Sequence, residues 1–224
     1  MRVAVADDSG LFRSGLTTLL SIAGIDVTAD EATGEALLHK VGTDCPDAVV
    51  LDIRMPPTFT DEGLATAEVL RERYPELGVL VLSTYSETAY AARLLAASSR
   101  SVGYLLKDRV ADLRTLTDAL TRIVAGECVI DPDIIVRLLD QHRVASKLDT
   151  LSDRERDILR LMAEGRSNSR IGKELFISTK TVEAHVAAVF SKLGLYQTSN
   201  DNRRVLAVLS WLRATGENAG TGLV

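Results

Sequence analysis

Ala48-Val49-Val50-Leu51-Asp52 is an apolar run closed by a carboxylate, and the next residues are Ile53-Arg54-Met55-Pro56. Four consecutive apolar residues do not alternate between a wet and a dry face. Both faces of such a strand must be covered, as in a parallel sheet flanked by helices. Similar runs occur at Val3–Ala6, Val27–Ala29, Val79–Leu82 and Gly103–Leu106. Helix-period stripes lie between them: Leu11, Phe12, Leu16, Leu19 and Leu20; Leu64, Ala67 and Leu70; Ala91, Leu94 and Leu95; Leu113, Leu116, Leu120 and Ile123. The pattern predicts five βα units, an α/β doubly wound domain over residues 1–125. Ligands in that architecture sit beyond the C-terminal ends of the strands.

Those ends carry the chemistry. Strand one finishes in Asp7-Asp8, strand three in Asp52, strand four in Ser83-Thr84 and strand five in Lys107. Asp after a strand is common because it caps the next helix, so Asp8 or Asp52 alone would mean little. Four segments converging on one rim mean more. Clustered carboxylates repel one another and call for a hard cation such as Mg²⁺, bound through oxygen. A carboxylate beside a metal and a lysine can attack a phosphoryl group, giving an aspartyl phosphate.

Asp7-Asp8, Leu51-Asp52-Ile53-Arg54-Met55-Pro56, Val81-Leu82-Ser83-Thr84 and Gly103-Tyr104-Leu105-Leu106-Lys107 together resemble the receiver domain of bacterial two-component response regulators. The resemblance implies that Asp52 accepts a phosphoryl group from a sensor histidine kinase. It implies Mg²⁺ on Asp8, Asp52 and the main-chain carbonyl of Arg54, with Asp7 acting through water. Ser83 fits the family's switch hydroxyl, with Thr84 beside it. Lys107 would bind a phosphoryl oxygen, and Tyr104 would be the aromatic whose rotamer follows the switch. The chain departs from the pattern after Met55-Pro56, where Pro57-Thr58-Phe59-Thr60-Asp61-Glu62 delays the expected glycine until Gly63. A second departure, Ser98-Ser99-Arg100-Ser101, stands where a small turn is common and blurs the end of the fourth helix.

Beyond Gly126 the pattern is helical. Asp131-Pro132 opens a short amphipathic segment (Ile134, Ile135, Leu138, Leu139), and residues 143–150 read as a polar linker, so 126–150 is expected to be a linker with a short helix. Ser152 and Glu155 form a capping box that opens a helix ending near Gly165. A second helix covers Ser167 to Phe176, and Ser178 caps a third that ends at Gly194. Asp201 or Asn202 starts a fourth. In the helix-turn-helix of residues 168–193, Ile171, Leu175, Val182, Val186, Val189 and Leu193 face inward. Ser178, Lys180 and Thr181 suit phosphate oxygens at a helix N-terminus. Glu183, Ala184 and Ala187 suit base edges, since Glu can accept from cytosine and Ala can touch a thymine methyl.

Leu151-Ser152-Asp153-Arg154-Glu155, Ile177-Ser178-Thr179-Lys180-Thr181-Val182-Glu183-Ala184-His185-Val186 and Lys192-Leu193-Gly194 resemble the LuxR-type helix-turn-helix over residues 151–213. The whole chain resembles the NarL/FixJ class of response regulators. That implies an all-α four-helix domain binding double-stranded operator DNA, with Lys192 near the DNA backbone. Its last helix would join two subunits through Val205, Leu209 and Leu212, as a homodimer formed on phosphorylation. The tail, 214–224, reads as disordered.

Composition agrees with two modules. Residues 1–148 carry 15 Lys and Arg against 22 Asp and Glu, whereas residues 149–213 carry 11 against 8. An acidic front and a basic back point to different partners. Hydrophobic content of 46% and charged content of 25% are ordinary for a globular protein, and no apolar run reaches membrane-spanning length. Met1-Arg2-Val3-Ala4-Val5 enters a strand directly, without signal-peptide anatomy. Cys45 and Cys128 lack metal-ligand spacing and read as buried apolar residues, so a cytoplasmic protein is expected. An aspartate-nucleophile phosphatase is disfavoured because Arg54 stands where such enzymes carry a second Asp, and at most self-phosphorylation and self-dephosphorylation at Asp52 are expected. The alternative is a phosphorylation-independent regulator that uses its receiver only to dimerise; every acidic and lysine position is nevertheless present.

Overall fold

The computed structural model describes residues 1–84, 88–97, 100–196 and 202–215, with the side chain of Ala97 excepted. The chain divides into two compact units, Met1–Arg137 and Leu138–Val224.

In the first unit the strands are β1 (Arg2–Ala6), β2 (Asp26–Glu31), β3 (Ala48–Asp52), β4 (Gly78–Ser83), β5 (Val102–Leu106) and β6 (Cys128–Ile130). They form one sheet in the order β2-β1-β3-β4-β5-β6, and every pair is parallel. Helices α1 (Gly10–Ile22), α2 (Gly34–Thr43), α3 (Glu62–Arg73), α4 (Thr88–Ala97) and α5 (Leu113–Val124) make the crossovers. All five residues of β3 and all six of β4 are buried, as continuous apolar runs require. Leu16 and Leu20 of α1 join Leu116, Leu120 and Ile123 of α5 in one core.

Three expectations need correction here. The sheet has six strands, not five: β6 pairs with β5, and the Asp131 amide donates to the Tyr104 carbonyl at 2.8 Å. Three residues are too short a run to announce a strand by periodicity. Leu11 is 89% exposed, so the buried stripe of α1 is Phe12, Leu16 and Leu20. Cys45 is exposed rather than buried, and both cysteines are free thiols. As for the departure at 98–101, Ser98 and Ser99 lie outside the described residues.

The expected linker is also mostly helix. After β6, α6 runs from Pro132 to Asp149, so residues 143–149 are helical. Val144 and Leu148, four apart, pack into the second core, while the polar residues that disguise the segment face outward. Lys147 donates to the Leu193 carbonyl at 2.9 Å, which ties this end of α6 to the helices that follow.

The second unit continues with α7 (Asp153–Ala163), α8 (Asn168–Glu174), α9 (Thr179–Leu193) and α10 (Arg203–Thr215). Both bonds of the Ser152–Glu155 capping box are present. The Thr181 amide donates to the Ser178 hydroxyl at 3.0 Å, capping α9, and Gly194 ends that helix at φ +72°. Gly172 lets α8 meet the turn before α9, since a Cβ there would lie 2.8 Å from the Ile177 carbonyl oxygen. The Asn202 side chain accepts from the amides of Arg204 and Val205 and opens α10. Asp201 and the tail beyond Thr215 lie outside the described residues. Among the described residues no helix is long and apolar enough to cross a membrane.

Candidate functional site

Parallel strands with a common direction bring Asp7, Asp8, Asp52 and Lys107 to one rim. Lys107, just after β5, donates to Asp7 Oδ2 at 2.7 Å and lies 3.0 Å from Asp52 Oδ1. Asp7 is 1% exposed and Asp52 6%, so two buried carboxylates share one ammonium. The second oxygen of Asp7 accepts the Ser9 amide at 2.9 Å. Asp8 is exposed, yet one oxygen from each of Asp7, Asp8 and Asp52 can lie within 4.8 Å of the others.

The electrostatics follow from that count of charges. Burial raises the Asp52 pKa to about 6; Lys107 pulls it back down and Asp7 pushes it up again. Burial works against the Lys107 ammonium too, but its bonds to Asp7 and Asp52 prevail and hold its pKa above the ordinary lysine value. Even with Arg54 lining the same cleft as Lys107, two cations face three acids. An all-oxygen donor set with surplus negative charge fits a hard divalent cation such as Mg²⁺.

A cleft of about 520 Å³ opens over these groups, lined by Asp8, Ser9, Phe12, Asp52, Arg54, Phe59, Thr84 and Lys107. Of the two candidate hydroxyls, exposed Thr84 lines the cleft, whereas Ser83 ends β4 and is buried at 4% exposure. Tyr104 is fully buried in β5. Gly63 explains how α3 approaches this rim: its amide donates to the Ile53 carbonyl, and a Cβ would fall 1.7 Å from the Asp52 carbonyl oxygen. Sequence reasoning did not single out three of the cleft residues, Ser9, Phe12 and Phe59. The ring of Phe12 lies 4.6 Å from Lys107 Nζ, a cation–π contact concealed in an apolar stripe. Phe59 belongs to the long loop, where no periodicity could place it.

In the second unit, Val182, Val186, Val189 and Leu193 are buried along one face of α9. Ser178, Lys180, Thr181, Glu183, Ala184 and Ala187 are all exposed. Lys192 differs from that group. Its ammonium donates to Glu155 Oε2 at 2.6 Å and to the Thr150 carbonyl at 3.0 Å, clamping the end of α9 to the start of α7. The Lys192 side chain remains 38% exposed while it makes these bonds. On α10, Val205 and Leu209 are exposed and Leu212 is half-buried, while Ala207, Val208 and Trp211 belong to the core.

A family model described as "Response regulator receiver domain" matches residues 3–121, and one for "Bacterial regulatory proteins, luxR family" matches residues 149–210. The chain belongs to the response regulator family. With a receiver ahead of a LuxR-type DNA-binding domain, this regulator is a transcription factor controlled by phosphorylation. It is 32% identical over 205 residues to the oxygen regulatory protein NreC of Staphylococcus aureus (strain JH9), covering 87% of this chain and 92% of that protein. Among solved structures, a form of the Salmonella typhimurium response regulator RcsB is similar, with a TM-score of 0.59 and 25% identity over 95% of this chain and 97% of that one. The structure of two RcsB dimers bound to two parallel DNAs shares the fold at 24% identity and a TM-score of 0.57, over 96% of this chain and 98% of that one.

Proposed function

We propose that Asp52 is the phosphoacceptor through which a sensor histidine kinase controls DNA binding by this chain. The observation that carries the reading is the sharing of Lys107 by Asp7 and Asp52 at the sheet rim, with Asp8 close by. An Asp52 carboxylate oxygen attacks the phosphorus of the kinase's phosphohistidine. The N–P bond breaks, and its electron pair returns to the imidazole. Lys107, kept protonated by its carboxylate neighbours, pairs with the phosphoryl oxygens. Asp8, Asp52 and the main-chain carbonyl of Arg54 would hold Mg²⁺, with Asp7 behind them through water. The bound ion supplies neutralisation of the charge on the transferring group. The same residues would support self-phosphorylation from a small donor and self-dephosphorylation.

Phosphoryl charge at Asp52 competes for Lys107 and attracts a hydroxyl from Ser83 or Thr84. A change in Tyr104 follows, reshaping the face of α4, β5 and α5. Two subunits then join through Val205, Leu209 and Leu212, and paired α9 helices read operator DNA in the cytoplasm. Ser178, Lys180 and Thr181 hold phosphates, while Glu183, Ala184 and Ala187 face base edges. Pairing two reading heads raises affinity through effective concentration.

The test uses the full chain with acetyl phosphate and Mg²⁺. Intact mass should show one added phosphoryl group, sedimentation should show a dimer, and affinity for DNA selected from a random duplex pool should rise. D52A should show none of these. If D52A binds that DNA as tightly as the phosphorylated wild type, the regulator works without phosphorylation and this reading fails.

A further inference from the structure

We infer that Phe59, on the loop between β3 and α3, sets the lifetime of the phosphorylated state by narrowing the approach of water to Asp52; this rests on Asp52 being the phosphoacceptor. Phe59 lines the cleft together with Asp8, Asp52, Arg54, Thr84 and Lys107. With the Phe59 ring in place the cleft still measures about 520 Å³ and the residue is 52% exposed, so the ring stands as a half-exposed wall of the cleft and not as a seal over Asp52.

The backbone of Phe59 is in the left-handed region, with φ +57°. A bulky side chain is unusual there, and glycine or asparagine would hold the same turn at less cost. The turn does not use the ring to keep its shape. The Phe59 amide donates to the Met55 carbonyl at 3.0 Å. On either side, the amides of Thr58 and Thr60 donate to the two carboxylate oxygens of Glu62, each at 2.9 Å. Despite some desolvation, those bonds and that from the Thr58 hydroxyl hold the Glu62 carboxyl down to about 2. The far end of the loop is fastened to α4: Asp61 pairs with Arg93, and the Tyr90 hydroxyl donates to the Thr60 carbonyl at 3.3 Å. Main-chain and carboxylate bonds thus fix the loop, and the costly aromatic is left for the cleft.

Hydrolysis needs a water oxygen to form a bond to phosphorus while the P–O bond to Asp52 breaks. Asp52 keeps the electron pair as a carboxylate, and the water proton leaves with inorganic phosphate. An apolar ring in the cleft wall offers that water no hydrogen bond and narrows its path to the phosphorus. Phe59 acts on this step without being one of the residues proposed above to hold Mg²⁺.

The experiment phosphorylates the full chain with acetyl phosphate and Mg²⁺, removes the donor, and follows loss of the phosphoryl group by intact mass. F59A and F59N should take up the group and lose it several-fold faster than wild type, and F59L should match wild type. F59N suits the left-handed turn, so it separates loss of the ring from collapse of the loop if F59A fails to fold. Wild-type decay rates in both F59N and F59A overturn the inference. Failure of the wild type to take up phosphate overturns the assignment of Asp52, and this inference with it.

Discussion

Lys107 and Lys192 both end on buried carboxylates, yet the two clusters are built to opposite charge balances. Around Lys107 two buried acids share a single ammonium with an exposed third acid close by, and the Asp52 pKa is raised to about 6. Around Lys192 there is one buried acid. Glu155 accepts both the lysine and the Ser152 amide, and despite its burial those bonds hold its pKa below the ordinary value. A matched pair that is also a helix cap serves architecture. A mismatched cluster is unstable as it stands, and becomes stable only by gaining a cation or a proton, or by losing charge to chemistry. Charge surplus, rather than burial or proximity, separates the reactive site from the clamp.

The largest effect should come from breaking the balanced cluster. E155A removes the Glu155 half of the capping box, the bond from the Ser152 amide, and leaves Lys192 facing the Thr150 carbonyl alone. The expected loss is about 2–4 kcal/mol for the C-terminal unit, the sum of a cap and a partly buried pair. Far-UV thermal melts of the full chain should show that unit unfolding first. Phosphorylation at Asp52 should remain intact, because the two clusters lie in separate units.

Neutralising the unbalanced cluster should act in the opposite direction. The folded-state pKa of Asp52 lies above the unfolded value, so the fold prefers the protonated acid. Ionisation costs nothing below the unfolded value. The cost grows as pH rises through about 6 and is complete above it. D52N should therefore stabilise the N-terminal unit by up to about 3 kcal/mol at pH 8 in metal-free buffer, with the gain vanishing near pH 4. Adding Mg²⁺ should narrow the difference by stabilising the wild type. Urea titrations at the two pH values measure it; equal stabilities at pH 8 would sink the surplus-charge account.

The difference between the clusters also marks what could be read from the sequence. Strand ends are legible because continuous apolar runs stop at definite residues, so Asp7, Asp8, Asp52 and Lys107 could be brought to one rim by topology alone. The Lys192 clamp is not legible because helix periodicity says which face a residue occupies, not whether a long side chain folds back on a neighbouring cap. The capping box at Ser152 and Glu155 is plain in the sequence, but nothing local says that the Glu155 carboxylate accepts a second donor from 37 residues away. β6 and the full length of α6 escape for related reasons. A three-residue strand has too little pattern, and a helix whose second half turns Val144 and Leu148 to a core amid polar neighbours looks polar. Phe59 is invisible because a loop's shape comes from main-chain bonds to Glu62 and not from any repeat.

A third cluster offers the smallest and most discriminating case. Arg93 on α4 holds Glu68 of α3 through Nε at 2.6 Å and Nη2 at 2.8 Å, and it also pairs with Asp61 of the long loop. Here too two acids share one cation, as at Lys107. The difference is exposure, since all three side chains are 37–41% exposed. Water compensates an unequal count at such a site, so surplus charge there should have little effect on stability. R93A is expected to cost no more than about 1 kcal/mol, the usual range for exposed pairs, and high salt should erase most of it. Its effect on the loop should be clearer than its effect on stability, because releasing Asp61 frees one end of the segment that carries Phe59. R93A should therefore speed loss of the phosphoryl group while leaving the melting temperature nearly unchanged. A large, salt-independent fall in stability would show instead that count alone governs these clusters, and would remove burial from the explanation of Asp52.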